Sequence, residues 1–169
     1  MIIAHLPAGY LLARLLRRTW KSGALFSGVL VGSMLPDIDM AWFHLVDGGQ
    51  YHHHSYPTHW PITWIGIGLL GLALSRLADK AGLAVATLGL VTGAILHIAL
   101  DTIAGHVLWL APFSYEGFHL VDVPATHSNW VVSFLLHWTF GVELAVTAIA
   151  AWVVFSQVRE GRRVAASRH

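Results

Sequence analysis

Five apolar segments constrain the fold of this chain more than any other feature. They cover about residues 2–16, 23–36, 60–78, 82–104 and 129–157. The last three reach the roughly 20 residues that a helix needs to cross a bilayer, whereas the first two would have to tilt, lie in the interface or pack against the others. Of all residues, 56% are hydrophobic and only 11% are charged, against about 25% charged in soluble proteins. The sequence therefore predicts an all-α, polytopic integral membrane bundle of about five helices, with residues 1–169 forming a single domain.

The basic residues orient these segments. They are confined to residues 14–21, 76–80 and 159–168. Lys and Arg collect on the cytoplasmic side of a membrane, and alternate spans bring all three groups to one side. We therefore expect a multi-pass protein of the inner (plasma) membrane with its N-terminus outside and its C-terminus inside. Residues 156–169 would form a basic cytoplasmic tail.

The same alternation places almost all histidines on the opposite, outer side. Of the twelve histidines, only His169 falls on the basic side. Because the chain has no cysteine, any metal must be held by imidazole and carboxylate groups. We therefore expect a functional site at the outer membrane face, towards the periplasm or the exterior.

The stretch LPDID, residues 35–39, ends the second apolar segment with two carboxylates. Pro36 disfavours helical backbone at Leu35, so Asp37 and Asp39 should lie where the chain leaves the bilayer. Taken alone, a solvated helix end explains this common spacing as well as a metal site does.

The loop HHHSYPTHW places His54 and His59 five positions apart. Neutral imidazoles on a stiff loop are good ligands for zinc or another divalent ion, and the Thr58 hydroxyl could hold a ligand or an oxyanion. The alternative is a polar interfacial loop that titrates near neutral pH. His53 is a secondary candidate, because three consecutive histidines rarely reach one point.

The apolar segment around residue 100 carries His97 and Asp101, four positions apart and therefore on one helix face. Ionisable groups in a membrane helix are costly unless they pair or bind an ion. They are therefore candidate ligands, and the alternative is a His–Asp hydrogen bond that packs helices together.

The last apolar segment adds three secondary candidates. His127 should lie at the membrane edge and His137 about two helical turns further in, as a ligand or the partner of one. Glu143, deeper still, could orient a ligand histidine or pair with another helix. His5 is a candidate only because it is predicted to lie on the same, outer side of the membrane as the other motifs.

In their order, these motifs resemble a known family. An N-terminal His is followed by LPDID, an HxxxTH-like loop, HxxxD on an apolar helix and a WxxPFS-like segment, all between His5 and Ser114. This order is similar to that of the YdjM-type membrane-bound metal-dependent hydrolases, also described as LexA-binding and inner-membrane-associated. The ligand order is also distantly similar to that of zinc-dependent phospholipase C and P1-type nucleases, which are all-helical enzymes with a cluster of zinc ions. The metal ligands that the family resemblance implies are His5, Asp37, Asp39, His54, His59, His97 and Asp101.

This ligand set favours a metal-dependent hydrolase that cleaves a phosphoester of a lipid or lipid-linked substrate. Ligands from four segments exceed one tetrahedral site, so two or more divalent ions are expected, with zinc as the first choice and manganese, iron or magnesium as alternatives. Asp39 or Asp101 could accept the proton of the attacking water. Membrane lipid, not nucleic acid, is the expected partner, and the oligomeric state stays open.

Two non-catalytic classes stay open beside the hydrolase. The same ligands could bind or transport a metal ion, although no second polar cluster on the cytoplasmic side would release it. A regulatory membrane partner is the third class, which only the LexA description of the family suggests.

Overall fold

The computed structural model describes residues 1–167, and within that range it is helical with connecting loops and one isolated β-bridge, between Val107 and Phe118. Three short 3-10 helices occupy Leu35–Asp39, His53–Ser55 and Pro57–His59. The prediction of an all-α protein is confirmed. The α-helices are α1 His5–Thr19, α2 Gly23–Gly32, α3 Met40–Leu45, α4 Pro61–Leu77, α5 Ala81–Asp101, α6 Trp130–Leu135 and α7 Trp138–Ala166.

Two of these helices, α5 and α7, are long and apolar enough to cross a membrane. A third candidate span is the pair formed by α2 and Leu35–Leu45, which is bent by 43°. α1 and α4 have 15 and 17 residues, fewer than the roughly 20 that a helix needs to cross a bilayer. Transmembrane helices are therefore supported, while the count of five spans and the N-out orientation stay predictions.

α2 and α5 approach each other closely because both carry a GxxxG pattern where they meet. A Cβ atom on Gly32 would overlap the carbonyl oxygen of Leu90, and one on Gly93 would overlap that of Val29. Small residues at this spacing allow backbone-to-backbone packing of membrane helices. The contact fixes the position of α5 along the end of α2. The four glycines are Gly28 and Gly32 on α2 and Gly89 and Gly93 on α5.

The last apolar segment, residues 129–157, is not one helix. α6 ends at Leu135 and α7 begins at Trp138, because His137 adopts extended backbone and its ring accepts from the N–H of Thr139 as the N-cap. The expectation that His137 lies two turns inside a helix is therefore wrong. Residues 156–166, predicted as part of a tail, continue α7, and residues 168–169 of that predicted tail lie outside the described residues.

The stretch 37–59, between the second and third apolar segments, is largely ordered into α3 and the 3-10 helices. Its end is fixed to the bundle by Trp64 of α4, whose indole N–H donates to the Thr58 carbonyl at 2.7 Å. Trp64 also belongs to a buried cluster with Ala94, Ile98 and Val107. This small core lies beside the histidine loop and gives it a rigid base.

Candidate metal centre

Polar side chains from four separate segments meet at one end of the bundle. They come from the start of α1, the 3-10 helix Leu35–Asp39, the histidine loop and the last turns of α5. We call this set the His–Asp cluster. Its members are His5, Asp37, Asp39, His53, His54, His59, His97 and Asp101.

His97 and Asp101 form the side of the cluster that α5 provides, and both are buried. The His97 Nδ1 lies 2.9 Å from the carbonyl oxygen of Ser33. Because a carbonyl oxygen only accepts, Nδ1 carries the proton, and in the neutral ring Nε2 is left with a free lone pair. That Nε2 lies 3.0 Å from Asp101 Oδ2. The helix therefore presents one nitrogen and one carboxylate oxygen side by side.

His5 closes the cluster from α1. Its ring stacks on that of His97, with 3.7 Å between the centroids and 18° between the planes. Its Nε2 lies 3.1 Å from Asp101 Oδ1, and its Nδ1 lies 3.5 Å from Asp37 Oδ2. His5 is 2% exposed, so the first turn of α1 carries a buried imidazole rather than a solvated one.

His59 is fully buried and is oriented by Asp39. Its Nδ1 lies 3.0 Å from Asp39 Oδ2, and the Thr58 hydroxyl donates to the same carboxylate oxygen. A carboxylate bound to one imidazole nitrogen fixes the ring and leaves the other nitrogen as a ligand atom. Thr58 therefore contacts Asp39, and Asp39 in turn positions His59.

His53 and His54 differ in protonation. Burial disfavours a charged His53 ring, but hydrogen bonds to Asp37 and Asp39 outweigh burial and raise its pKa to about 9. Burial lowers the pKa of His54 to about 3, which keeps that ring neutral. A metal ion must therefore displace a proton from His53 at neutral pH, but it meets His54 as a ready ligand.

The chemistry of these donors fits a metal ion because several buried ligand atoms have no hydrogen-bond partner. Buried polar atoms in proteins nearly always have one. Here five of the six such atoms in the cluster approach one another within ion-pair distance but without the alignment of a hydrogen bond, as ligands of a shared cation do, whereas His54 approaches Asp101 through Nε2. The six atoms in the cluster are Asp39 Oδ1, His53 Nδ1, His54 Nδ1, His59 Nε2, His97 Nε2 and Asp101 Oδ2.

Two of the four overlapping ligand groups in the cluster share no residue with each other, and we call them the loop triad and the helix triad. The loop triad is His53, His54 and His59, and the helix triad is His5, His97 and Asp101. Within each triad the ligand atoms lie within 4.8 Å of one another. Asp37 forms two further groups, one with His59 and His97, a histidine from each triad, and one with Asp39 and His53. The cluster could therefore hold more than one ion.

All seven residues predicted as ligands lie in the cluster, together with His53. His127 lies on an exposed loop, and His137 caps α7. Neither belongs to the metal-binding groups found among residues 1–167. The structure thus separates these two histidines from the site although they were expected on the same side.

Glu143 is fully buried but serves the cluster indirectly. Its carboxylate accepts hydrogen bonds from the backbone N–H groups of Ile2, Ile3 and Ala4, at 2.6–3.2 Å. These residues directly precede His5, and the Met1 nitrogen contacts Asp101 Oδ1. Glu143 was expected to orient a ligand histidine or to pair with another helix, but its partners are backbone groups that precede α1, which sequence patterns do not mark.

A family model described as YdjM inner membrane protein matches residues 1–163 of the chain. The match includes every member of the His–Asp cluster. No curated protein and no solved structure matches the chain.

Proposed function

Because the chain belongs to the YdjM inner membrane protein family, as its motifs indicated, we propose that it is a metal-dependent hydrolase at the outer face of the inner membrane. The reaction we propose is cleavage of a phosphoester in a lipid or lipid-linked substrate. One observation carries the proposal: five buried His and Asp atoms without hydrogen-bond partners converge from three segments. Such a set is expensive to bury without a cation.

The two triads would each hold one divalent ion. Three protein ligands with an open position are typical of catalytic zinc sites. Three imidazoles in the loop triad favour zinc and also suit iron, whereas manganese and magnesium prefer oxygen ligands. When bound, such ions polarise a phosphoryl oxygen and activate water at neutral pH.

The carboxylates differ in their suitability as proton acceptors. Asp101 is 1% exposed, and its Oδ2 lies within 3.6 Å of the Nε2 atoms of His54, His59 and His97, which is the environment of a ligand. Asp39 Oδ2 already accepts from Thr58, while its Oδ1 lies 3.2 Å from His53 Nδ1. We assign proton transfer to Asp39 Oδ1.

Location supports the lipid part of the proposal. The cluster lies where the candidate span formed by α2 and Leu35–Leu45 bends and where α5 ends. A site at the end of membrane helices meets lipid headgroups before it meets a soluble polymer. This supports membrane lipid over nucleic acid as the partner.

The test combines metal content with phosphate release. We would purify the protein in detergent, measure bound metal by elemental analysis and assay phosphate release from lipid phosphates. His59→Ala and Asp37→Ala should each lose metal and activity. His127→Ala and Asp122→Ala are matched controls, because both residues are exposed and lie outside the cluster.

The outcomes separate the function classes. Less than one metal ion per chain, unchanged by either cluster substitution, would refute the metal centre. Two ions per chain with no phosphate release on a broad panel of lipid phosphates would refute the hydrolase and favour a metal-binding protein.

A further inference from the structure

An apolar groove opens between α1 and α2, directly beside the His–Asp cluster. Its volume is about 580 Å³, within the range of small-molecule sites. We call it the α1–α2 groove. Its lining is apolar except for one carboxylate, and the residues that matter here are Leu6, Leu30, Val31, Met34, Ile38 and Asp37.

The walls of the groove are open to the outside of the bundle. Val31 is 52% exposed and Ile38 62% exposed, although both are strongly apolar. In an inner membrane protein, exposed apolar side chains on the helices of the bundle contact lipid chains. The groove is therefore accessible to hydrocarbon, and its lining has no charged group that would repel it except at one end.

That end is Asp37, which belongs to both the groove and the cluster. Asp37 is 29% exposed, whereas Asp39 is 5% and Asp101 is 1% exposed. The most accessible carboxylate of the cluster thus faces the groove. A molecule that lies in the groove brings one end next to the residue that groups with a histidine of each triad.

The charge of the His–Asp cluster determines which chemical group a bound molecule should carry at the end beside Asp37. Two bound divalent cations carry more positive charge than the three carboxylates carry negative charge. The metal-loaded cluster is therefore positive overall and attracts an anion. The groove lining contains no Lys or Arg that could bind an anion without metal. A molecule with an apolar chain and a phosphate at one end matches both parts.

From this juxtaposition we propose that the α1–α2 groove holds the hydrocarbon chain of a membrane lipid phosphoester, whose phosphate reaches the metal centre past Asp37. The lipid enters sideways from the bilayer, between α1 and α2. This inference rests on the proposed function for the position of the phosphate, and it adds the binding site of the chain and the route of entry.

The test measures binding of alkylphosphonates, which resemble phosphoesters but are not hydrolysed. Metal-loaded protein in lipid nanodiscs would be titrated with methyl-, butyl- and octylphosphonate. Val31→Trp fills the groove from α2, and Ile38→Trp narrows it from the 3-10 helix. Val154→Trp is the matched control, because Val154 is 44% exposed on α7 and does not line the groove.

We expect methylphosphonate to bind all four proteins equally and only when metal is present. Each methylene that the groove buries should raise the affinity by up to about fourfold. This gain should be present in the native protein and in Val154→Trp, and reduced in both groove variants. Because partition into the nanodisc is the same for all four, it cancels in the comparison.

Equal chain-length dependence in all four proteins would overturn the groove, and so would failure of every phosphonate to bind. The proposed function fails separately, in the phosphate-release assay. A chain-length gain that Val31→Trp removes, in a protein that releases no phosphate, would leave the groove standing and refute hydrolysis.

Discussion

Replacement of Glu143 by Gln tests whether a residue far along the chain positions the metal ligand His5. In the native protein Glu143 Oε2 accepts from Ile3 N–H at 2.6 Å and from Ala4 N–H at 3.2 Å, while Oε1 accepts from Ile2 N–H at 2.8 Å. An amide oxygen can replace one of these acceptors. The amide NH₂ at the other position would face a backbone donor, so at least one charge-assisted hydrogen bond is lost.

The loss has a definite size and place. A hydrogen bond to a charged group contributes about 1.5–3 kcal/mol. At 1.4 kcal/mol per decade, that corresponds to roughly ten- to 150-fold in binding, which overlaps the 10–100-fold effect usual for residues that support metal ligands. The first turn of α1 should loosen, and His5 belongs only to the helix triad. We therefore expect the affinity of one ion to fall while the ion of the loop triad is retained.

The assay is a zinc titration against a competing chelator, in which two ions of different affinity give two phases. Glu160→Gln is the matched control, since Glu160 is exposed on the same helix. Glu143→Asp, which keeps the charge on a shorter side chain, should give an intermediate affinity. Unchanged binding of both ions in Glu143→Gln would refute the reasoning, and so would an equal loss of both ions.

Four further predictions follow from the packing, the protonation, the metal and the charges. Gly93→Ala should destabilise the protein by about 1–3 kcal/mol, because its Cβ would overlap α2. Gly66→Ala, in open space on α4, should be neutral or slightly stabilising. Thermal unfolding in detergent compares the two variants, and equal melting temperatures would contradict the tight contact. Because the pKa of His53 is raised to about 9, metal must displace its proton below that pH; affinity should rise about tenfold per pH unit between pH 7 and 8, and a flat profile would argue against His53 as a ligand. The same raised pKa stabilises the metal-free protein fully below the ordinary value of 6.5 and loses this contribution as the pH passes 9. Chelation should lower the melting temperature of native protein more than that of His59→Ala, since ligand binding stabilises only the folded state that holds the ion. Finally, a C-terminal reporter should be active only in the cytoplasm, and activity only outside would refute the N-out, C-in orientation.

The local parts of the structure could be predicted because each rests on a short-range rule. Four-residue spacing put His97 and Asp101 on one face, and Pro36 marked the end of the second apolar segment. The sequence ranks His53 below His54, whereas the structure brings both into the cluster. The 3-10 helix His53–Ser55 turns His53 towards Asp37 and Asp39, and such a rotation depends on backbone geometry that a run of three histidines does not specify.

The long-range parts could not be predicted for a different physical reason. Glu143 binds three backbone N–H groups about 140 positions away, and backbone groups have no sequence signature. The break before Trp138 likewise depends on one cap by His137, in a stretch whose hydrophobicity alone favours a continuous helix. The GxxxG patterns of α2 and α5 were a readable signal for their contact, and that contact is what brings the Ser33 carbonyl to His97.

The unpartnered buried atoms of the His–Asp cluster lower the stability of the fold. Each buried polar atom without a partner costs about 1–3 kcal/mol, and a folded domain has only about 5–15 kcal/mol of net stability. Two or three of the six unpartnered atoms would therefore offset much of the stability of the bundle. The rigid α2–α5 contact and the Glu143 anchor hold the ligands in place against this cost. Under the proposed function, bound cations offset this cost. The strength of the packing therefore determines how far the ligands are already in position in the metal-free protein.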